Sequence, residues 1–154
     1  MKKILASLLG VVFSVSTFAL PANVDQPFME KAKNNLQDAR GFLNAATADK
    51  GGHSNAAIAK INEAISSVNS GIAYDNKHRG KRPRRNSTDE NINTDSGVMI
   101  DQPNMVRARE ELQKAVDNLN NATADKGGWR NKALAQTRDA IAQVNAGIEF
   151  DRRN

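Results

Sequence analysis

Apolar and small residues recur every three or four positions from Met29 to Ala46: Met29, Ala32, Leu36, Ala39, Leu43 and Ala46. The same steps return at Met105, Ala108, Leu112, Ala115, Leu119 and Ala122. Each set draws a narrow stripe down one side of a helix, close to the seam of a coiled coil. A second pair of stripes follows, Ile58, Ile61, Ile65, Val68, Ile72 and Leu134, Thr137, Ile141, Val144, Ile148, with Thr137 as a polar interruption. No window alternates with period two for long enough to suggest a strand. The pattern predicts an all-α fold of four amphipathic helices.

The stripes are copies of one another. Displaced by 76 positions, the chain aligns with itself without a gap: Asp25-Gln26-Pro27 returns as Asp101-Gln102-Pro103, Val68-Asn69 as Val144-Asn145, and the heptapeptide ATADKGG at 46–52 returns at 122–128. Each copy reads as an αα-hairpin. Asp or Gln caps the first helix, and proline is tolerated in its first turn, where a missing N–H needs no partner. The repeated heptapeptide falls between the two stripes. Gly51-Gly52 and Gly127-Gly128 suit positive φ at the end of the first helix. Lys50 and Lys126 bring a cation to the negative end of its dipole. Ser54 or Asn55, and Asn131 in the second copy, are the residues available to cap the second helix. Gly71 and Gly147 sit inside the second stripe, where glycine costs about 1 kcal/mol relative to alanine; they mark either a close backbone approach or an early helix end.

A single hairpin with an Ala-rich seam buries too little to be stable without staples. The two tandem αα-hairpins are therefore expected to pack as an antiparallel four-helix bundle within the chain, with homodimerisation through the same faces as the rival. The expected organisation is a leader at 1–19, hairpin one at 25–76, a polar linker at 77–100 and hairpin two at 101–153. The leader has the layout of a secretory signal: Lys2 and Lys3, an apolar run over 4–15, and small residues Thr17 and Ala19 before a cut after Ala19. The apolar run is shorter than the roughly 20 residues a spanning helix needs. A periplasmic or secreted bacterial protein is expected, with no transmembrane segment once the leader is removed.

Charge changes the picture only in the linker. The formal net charge is +5, and Lys2 and Lys3 belong to the leader. Most of the remaining excess lies in KHRGKRPRR, which holds Lys77, Arg79, Lys81, Arg82, Arg84 and Arg85. Such a run is either a solvated connector or a contact for a polyanion, meaning lipopolysaccharide, anionic lipid or nucleic acid. Its KRPRR segment is also nuclear-import-like, which matters only in a protein delivered into a eukaryotic cell.

The chain has no cysteine, which excludes disulfides, thiolate metal sites, a cysteine nucleophile and a lipidated cysteine anchor. Its histidines, His53 and His78, are not duplicated: the copy of His53 is Trp129. No catalytic constellation, phosphate-binding glycine loop or Glu-x-x-His di-metal pattern is present. Neither an enzyme nor a cofactor or metal site is expected. The candidate surface is the pair of turns, with Asp49, Lys50 and His53 in one and Asp125, Lys126, Trp129 and Arg130 in the other. Tyr74 and Phe150, at matching helix ends, are expected to cap the ends of the bundle.

The motifs DQPxM, DKGGH and the later run of the AI…VN.GI.YD type resemble a family of small exported helical proteins of proteobacteria. In that family the module occurs singly and carries no assigned activity. Its turn usually runs DKGGHR; here copy one reads DKGGHS and copy two DKGGWR, so each keeps half of the His-Arg pair. The resemblance implies a helical module without naming a chemistry. The reading is an exported, non-enzymatic interaction protein that meets a protein or cell-envelope partner through its hairpin surfaces.

Overall fold

Four helices follow from the four stripes. The computed structural model describes residues 25–46, 50–78, 101–122 and 126–153. They form α1 (Asp25–Ala45), α2 (His53–His78), α3 (Asp101–Asn121) and α4 (Trp129–Arg153), with short 3₁₀ turns at Lys50–Gly52 and Lys126–Gly128. The proposed leader at 1–19 and most of the linker lie outside the described residues. The linker boundary itself moves. Helix α2 continues through Lys77 and His78, two residues beyond the expected end of hairpin one. His78 stabilises that last turn: its Nδ1 donates to the Tyr74 carbonyl at 2.7 Å, and its ring stacks on Tyr74 at 4.0 Å.

The helices pack as an antiparallel four-helix bundle. The broadest contacts lie between the hairpins, α1 on α3 and α2 on α4; α1 on α2 and α3 on α4 complete the ring. All four neighbouring pairs run antiparallel. The start of α3 meets the end of α1, where Asn104 Nδ2 donates to the Ala45 carbonyl at 3.2 Å. The start of α1 meets the end of α2 through Gln26 Nε2 and Asn76 Oδ1 at 2.8 Å. Each end of α4 likewise meets the opposite end of α2, as the turns below make plain. It follows that α2 and α3 run parallel across the diagonal. The end of one and the start of the other lie at opposite ends of a bundle about 39 Å long, taking 26 residues at 1.5 Å each.

The core alternates large and small residues in heptad register. In α1 the buried positions are Met29, Leu36, Leu43 and, interleaved, Ala32 and Ala39; in α3 they are Met105, Leu112, Leu119 and Ala108, Ala115, with Val116 beside them, and Ala122 is buried just past the helix end. Large side chains facing small ones let neighbouring helices interdigitate without voids. The α1 and α3 stripes fall where the spacing placed them. The α2 stripe does not. Its buried line is Ser54, Ala57, Ile61, Ala64, Val68, Gly71 and Asp75, with Ser67 beside it, while Ile58, Ile65 and Ile72 are only partly buried against the core. Small residues take the central seam, and the bulkier isoleucines fill the flanks between helices. Gly71 and Gly147 belong to this seam. Both are buried and both helices run through them, so neither marks a helix end, and their burial agrees with a close approach. Thr137 stands where copy one has Ile61. It is fully buried, and its hydroxyl donates to the Ala133 carbonyl one turn back at 2.8 Å, so no polar group is left unsatisfied there.

Polar residues pair across the α1–α3 seam. Asn35 Nδ2 donates to Glu111 Oε2 at 2.7 Å, Asn118 Nδ2 donates to Asn35 Oδ1 at 2.9 Å, and Lys114 holds the other Glu111 oxygen at 2.7 Å. Burial raises the Asp38 carboxyl above its ordinary value; Glu111 adds to the rise and Lys114 opposes it. The bond to Glu111 raises Lys114.

Two outcomes test this packing. Ile61→Ala should destabilise by about 2–5 kcal/mol as a cavity-forming core truncation, whereas Ile65→Ala should cost about 1–2 kcal/mol; urea unfolding of both distinguishes the structural seam from the sequence stripe. Asp38 binds its proton more tightly folded than unfolded. Its contribution to stability therefore falls as pH rises from the ordinary carboxylate value through the raised one. Asp38→Asn should raise Tm at pH 7 and leave it unchanged at pH 3; a loss of Tm at pH 7 would reverse that assignment.

Candidate functional site

The repeated heptapeptide turns the chain at the two opposite ends of the bundle. Helix α1 closes on bonds from the Ala46 N–H to the Phe42 and Leu43 carbonyls, and α3 on the bond from Ala122 to Asn118. In the first turn Gly51 has φ 66° and Gly52 φ 85°; in the second Gly127 has φ 65° and Gly128 φ 84°. Two successive left-handed residues reverse the chain in very little length, and L side chains resist that conformation. The second helix then starts directly at His53 or Trp129.

Ser54 and Asn131 therefore lie inside the first turn of their helices rather than ahead of it. Ser54 is buried, and its Oγ donates to the Leu43 carbonyl at 3.4 Å. Its copy, Arg130, performs the same task on α3: one guanidinium nitrogen reaches the Ala122 carbonyl at 2.6 Å and the Leu119 carbonyl at 3.5 Å. The last carbonyls of a helix lack internal partners and attract cations. Position 54/130 thus ties the end of one helix to the start of the next, and the second half of the His-Arg motif has a structural use in both copies.

Each turn is roofed by an aromatic ring from the other hairpin. A Cβ on Gly51 would lie 3.0 Å from the Phe150 ring, and one on Gly127 would lie 2.9 Å from the Tyr74 ring. Gly52 and Gly128 have open space at the same point. Glycine is thus required twice over at Gly51 and Gly127, by φ and by the ring. Tyr74 and Phe150 cap the bundle ends, as expected, and they do so by crossing between hairpins. They are also the large apolar side chains that stay exposed among the described residues, at 39% and 44%.

The two ends differ in detail. At the first, His53 Nδ1 hydrogen-bonds Gln143 Oε1 at 3.0 Å. A shallow, open cleft of about 360 Å³ lies beside it, lined by His53, Ala146, Glu149, Phe150 and Arg153. At the second end, Trp129 replaces His53, and the Lys132 ammonium lies 5.2 Å from its ring centroid. Of the other candidate residues, Lys50 and Lys126 lie on the 3₁₀ turns, while Asp49 and Asp125 fall outside the described residues. Lys77 is exposed on the last turn of α2, not in the linker. Arg79, Lys81, Arg82, Arg84 and Arg85 lie outside the described residues. His53 and His78 stand at the two ends of α2, about 37 Å apart at 1.5 Å per residue, so they do not share a site. Among the described residues no group of three His, Asp or Glu is gathered as a metal site, and no helix is long and apolar enough to cross a membrane.

No protein-family model matches the chain, and no curated protein or solved structure matches it either.

The aromatic roof is testable by a double-mutant cycle. Gly52→Ala should cost about 1–2 kcal/mol through φ alone. Gly51→Ala should cost about 1–3 kcal/mol more, from overpacking against the ring. That excess should vanish in a Phe150→Ala background; its persistence there would show that the ring does not set the constraint.

Proposed function

We propose that this protein is an exported, non-enzymatic binding module that presents two recognition surfaces at the opposite ends of one rigid rod. The reading rests on one observation: the exposed large apolar side chains of the described residues, Tyr74 and Phe150, both lie on the duplicated glycine turns. Exposed aromatics on a fixed backbone make good contact anchors, because they lose little entropy on binding. At one end Arg153 lines the cleft beside Phe150 together with Glu149, which holds Arg152 at 2.7 Å; at the other Lys132 lies over the Trp129 ring and Lys77 is exposed on the last turn of α2 with Tyr74. An aromatic anchor with a basic rim fits an acidic protein or an anionic component of the cell envelope. A rod carrying related surfaces at both ends is suited to bridging two such partners.

The absence of cysteine allows a direct test. Single cysteines at Arg153, at Lys132 and, as a mid-rod control, at Arg138 would each carry a photoactivatable label. The labelled full chains would then be irradiated in an envelope extract of the source cells. The expected outcome is a discrete cross-linked partner from the two end positions and none from Arg138. Equal labelling from all three would refute recognition by the ends. If changing the six basic residues of KHRGKRPRR to glutamine abolished a salt-sensitive binding to lipopolysaccharide, anionic vesicles or DNA, the polyanion reading would replace this one.

A further inference from the structure

The duplication relates the hairpins by a pseudo-two-fold axis, and that axis passes through a polar contact. Asn35 and Glu111, 2.7 Å apart, are separated by 76 positions, the length of the repeat. They are copies of the same site, meeting each other across the α1–α3 seam. Asp38 and Lys114 are likewise copies, and each lies within the electrostatic field of the other. At an axis of this kind, any residue meets its own duplicate when two identical hairpins pair.

We propose that the two hairpins are a matched pair of halves, in which hairpin one takes hairpin two as its partner and homotypic pairing is disfavoured by the residues on the axis. In the observed pairing Asn35 donates to Glu111, and Lys114 offsets part of the cost that burial and Glu111 place on the Asp38 carboxylate. Two copies of hairpin one would set Asp38 against Asp38 in place of Asp38 against Lys114. Two copies of hairpin two would set Glu111 against Glu111 at the axis and Lys114 against Lys114 beside it, so that the part-buried contact made by Asn35 becomes a contact between like charges. Glu111 is mostly buried at this seam, its side chain 16% exposed, so solvent screens the like charges less than it would on an open surface. The α2–α4 seam is also built from unlike residues at copied positions. Ser67 Oγ donates to Gln136 Oε1 at 2.7 Å, and Gln136 Nε2 donates to Glu63 Oε2 at 3.3 Å; the copy of Gln136 is Lys60 and that of Glu63 is Asp139.

The pairing has a consequence for the surface. Each bundle end is composite, made of one hairpin's turn and the other hairpin's aromatic. Mixed pairing therefore gives every rod one end with His53 and Phe150 and one end with Trp129 and Tyr74. A homotypic pair would bring His53 together with Tyr74, or Trp129 with Phe150, at both ends.

The test uses the whole folded chain with a specific protease site placed between Arg85 and Asp95. After cleavage the halves should stay associated without denaturant. The nicked protein is then unfolded in urea, refolded, and its dimers counted by native mass spectrometry. Random pairing gives the mixed dimer as about half of the population, whereas like charges at a partly buried contact should favour it about ten-fold over that ratio. The double change Asn35→Glu with Asp38→Lys makes these axis residues identical in both hairpins, and the preference should then fall several-fold, to what the unlike residues of the α2–α4 seam contribute. Random pairing in the unmodified protein, an excess of either homotypic dimer, or halves that separate on cleavage would each overturn the proposal. So would a mixed preference that the double change leaves undiminished.

Discussion

The constraint on which this structure depends is that neither hairpin can bury its own seam. Each offers a narrow line of apolar residues in which every second member is alanine or glycine. Such a line holds too little apolar area to offset the entropy of ordering some fifty residues. Small residues, however, let a second hairpin approach closely, and the large ones then fill the space between. The result is a bundle whose broadest contacts lie between the copies. The duplication supplies the partner in the same chain, at the high effective concentration of an intramolecular event.

The turns are subject to the same arrangement. A pair of left-handed glycines makes the reversal tight, and a tight reversal leaves room above it for a ring. That ring comes from the final turns of the other hairpin, which reaches it because α2 and α4 run antiparallel and are closely matched in length. One contact therefore closes both the turn and the bundle end. Ser54 and Arg130 show how tolerant the remainder is: a hydroxyl and a guanidinium satisfy the same helix-end carbonyls from copied positions.

This economy shapes the functional reading. The heptad core is lined by alternating large and small side chains, and the exposed large apolar side chains of the described residues, Tyr74 and Phe150, stand at the two ends. The ends have diverged, with histidine and a cleft at one and tryptophan with a lysine over its ring at the other. Duplication followed by divergence yields a rod with two related but unequal faces.

Much of this was legible in the chain itself. The spacing of Met29, Leu36 and Leu43 set α1, the gapless repeat set the two hairpins, and the twin glycines set the turns, because helix periodicity and positive φ are local properties that residue type reports directly. Local pattern misled at Ile58, Ile65 and Ile72, where the most hydrophobic line of α2 is not its most buried one. Hydrophobicity alone does not say how closely the neighbouring helix lies, and here that closeness gives the seam to Ala57, Ala64 and Gly71. The sequence by itself determined four helices, two hairpins and their turns. Only the tertiary structure decided that Tyr74 and Phe150 cross to roof the opposite turns, and that Asn35 meets its own copy at Glu111. Those contacts join residues far apart in the chain, and they exist only once the antiparallel pairing of the hairpins has been chosen.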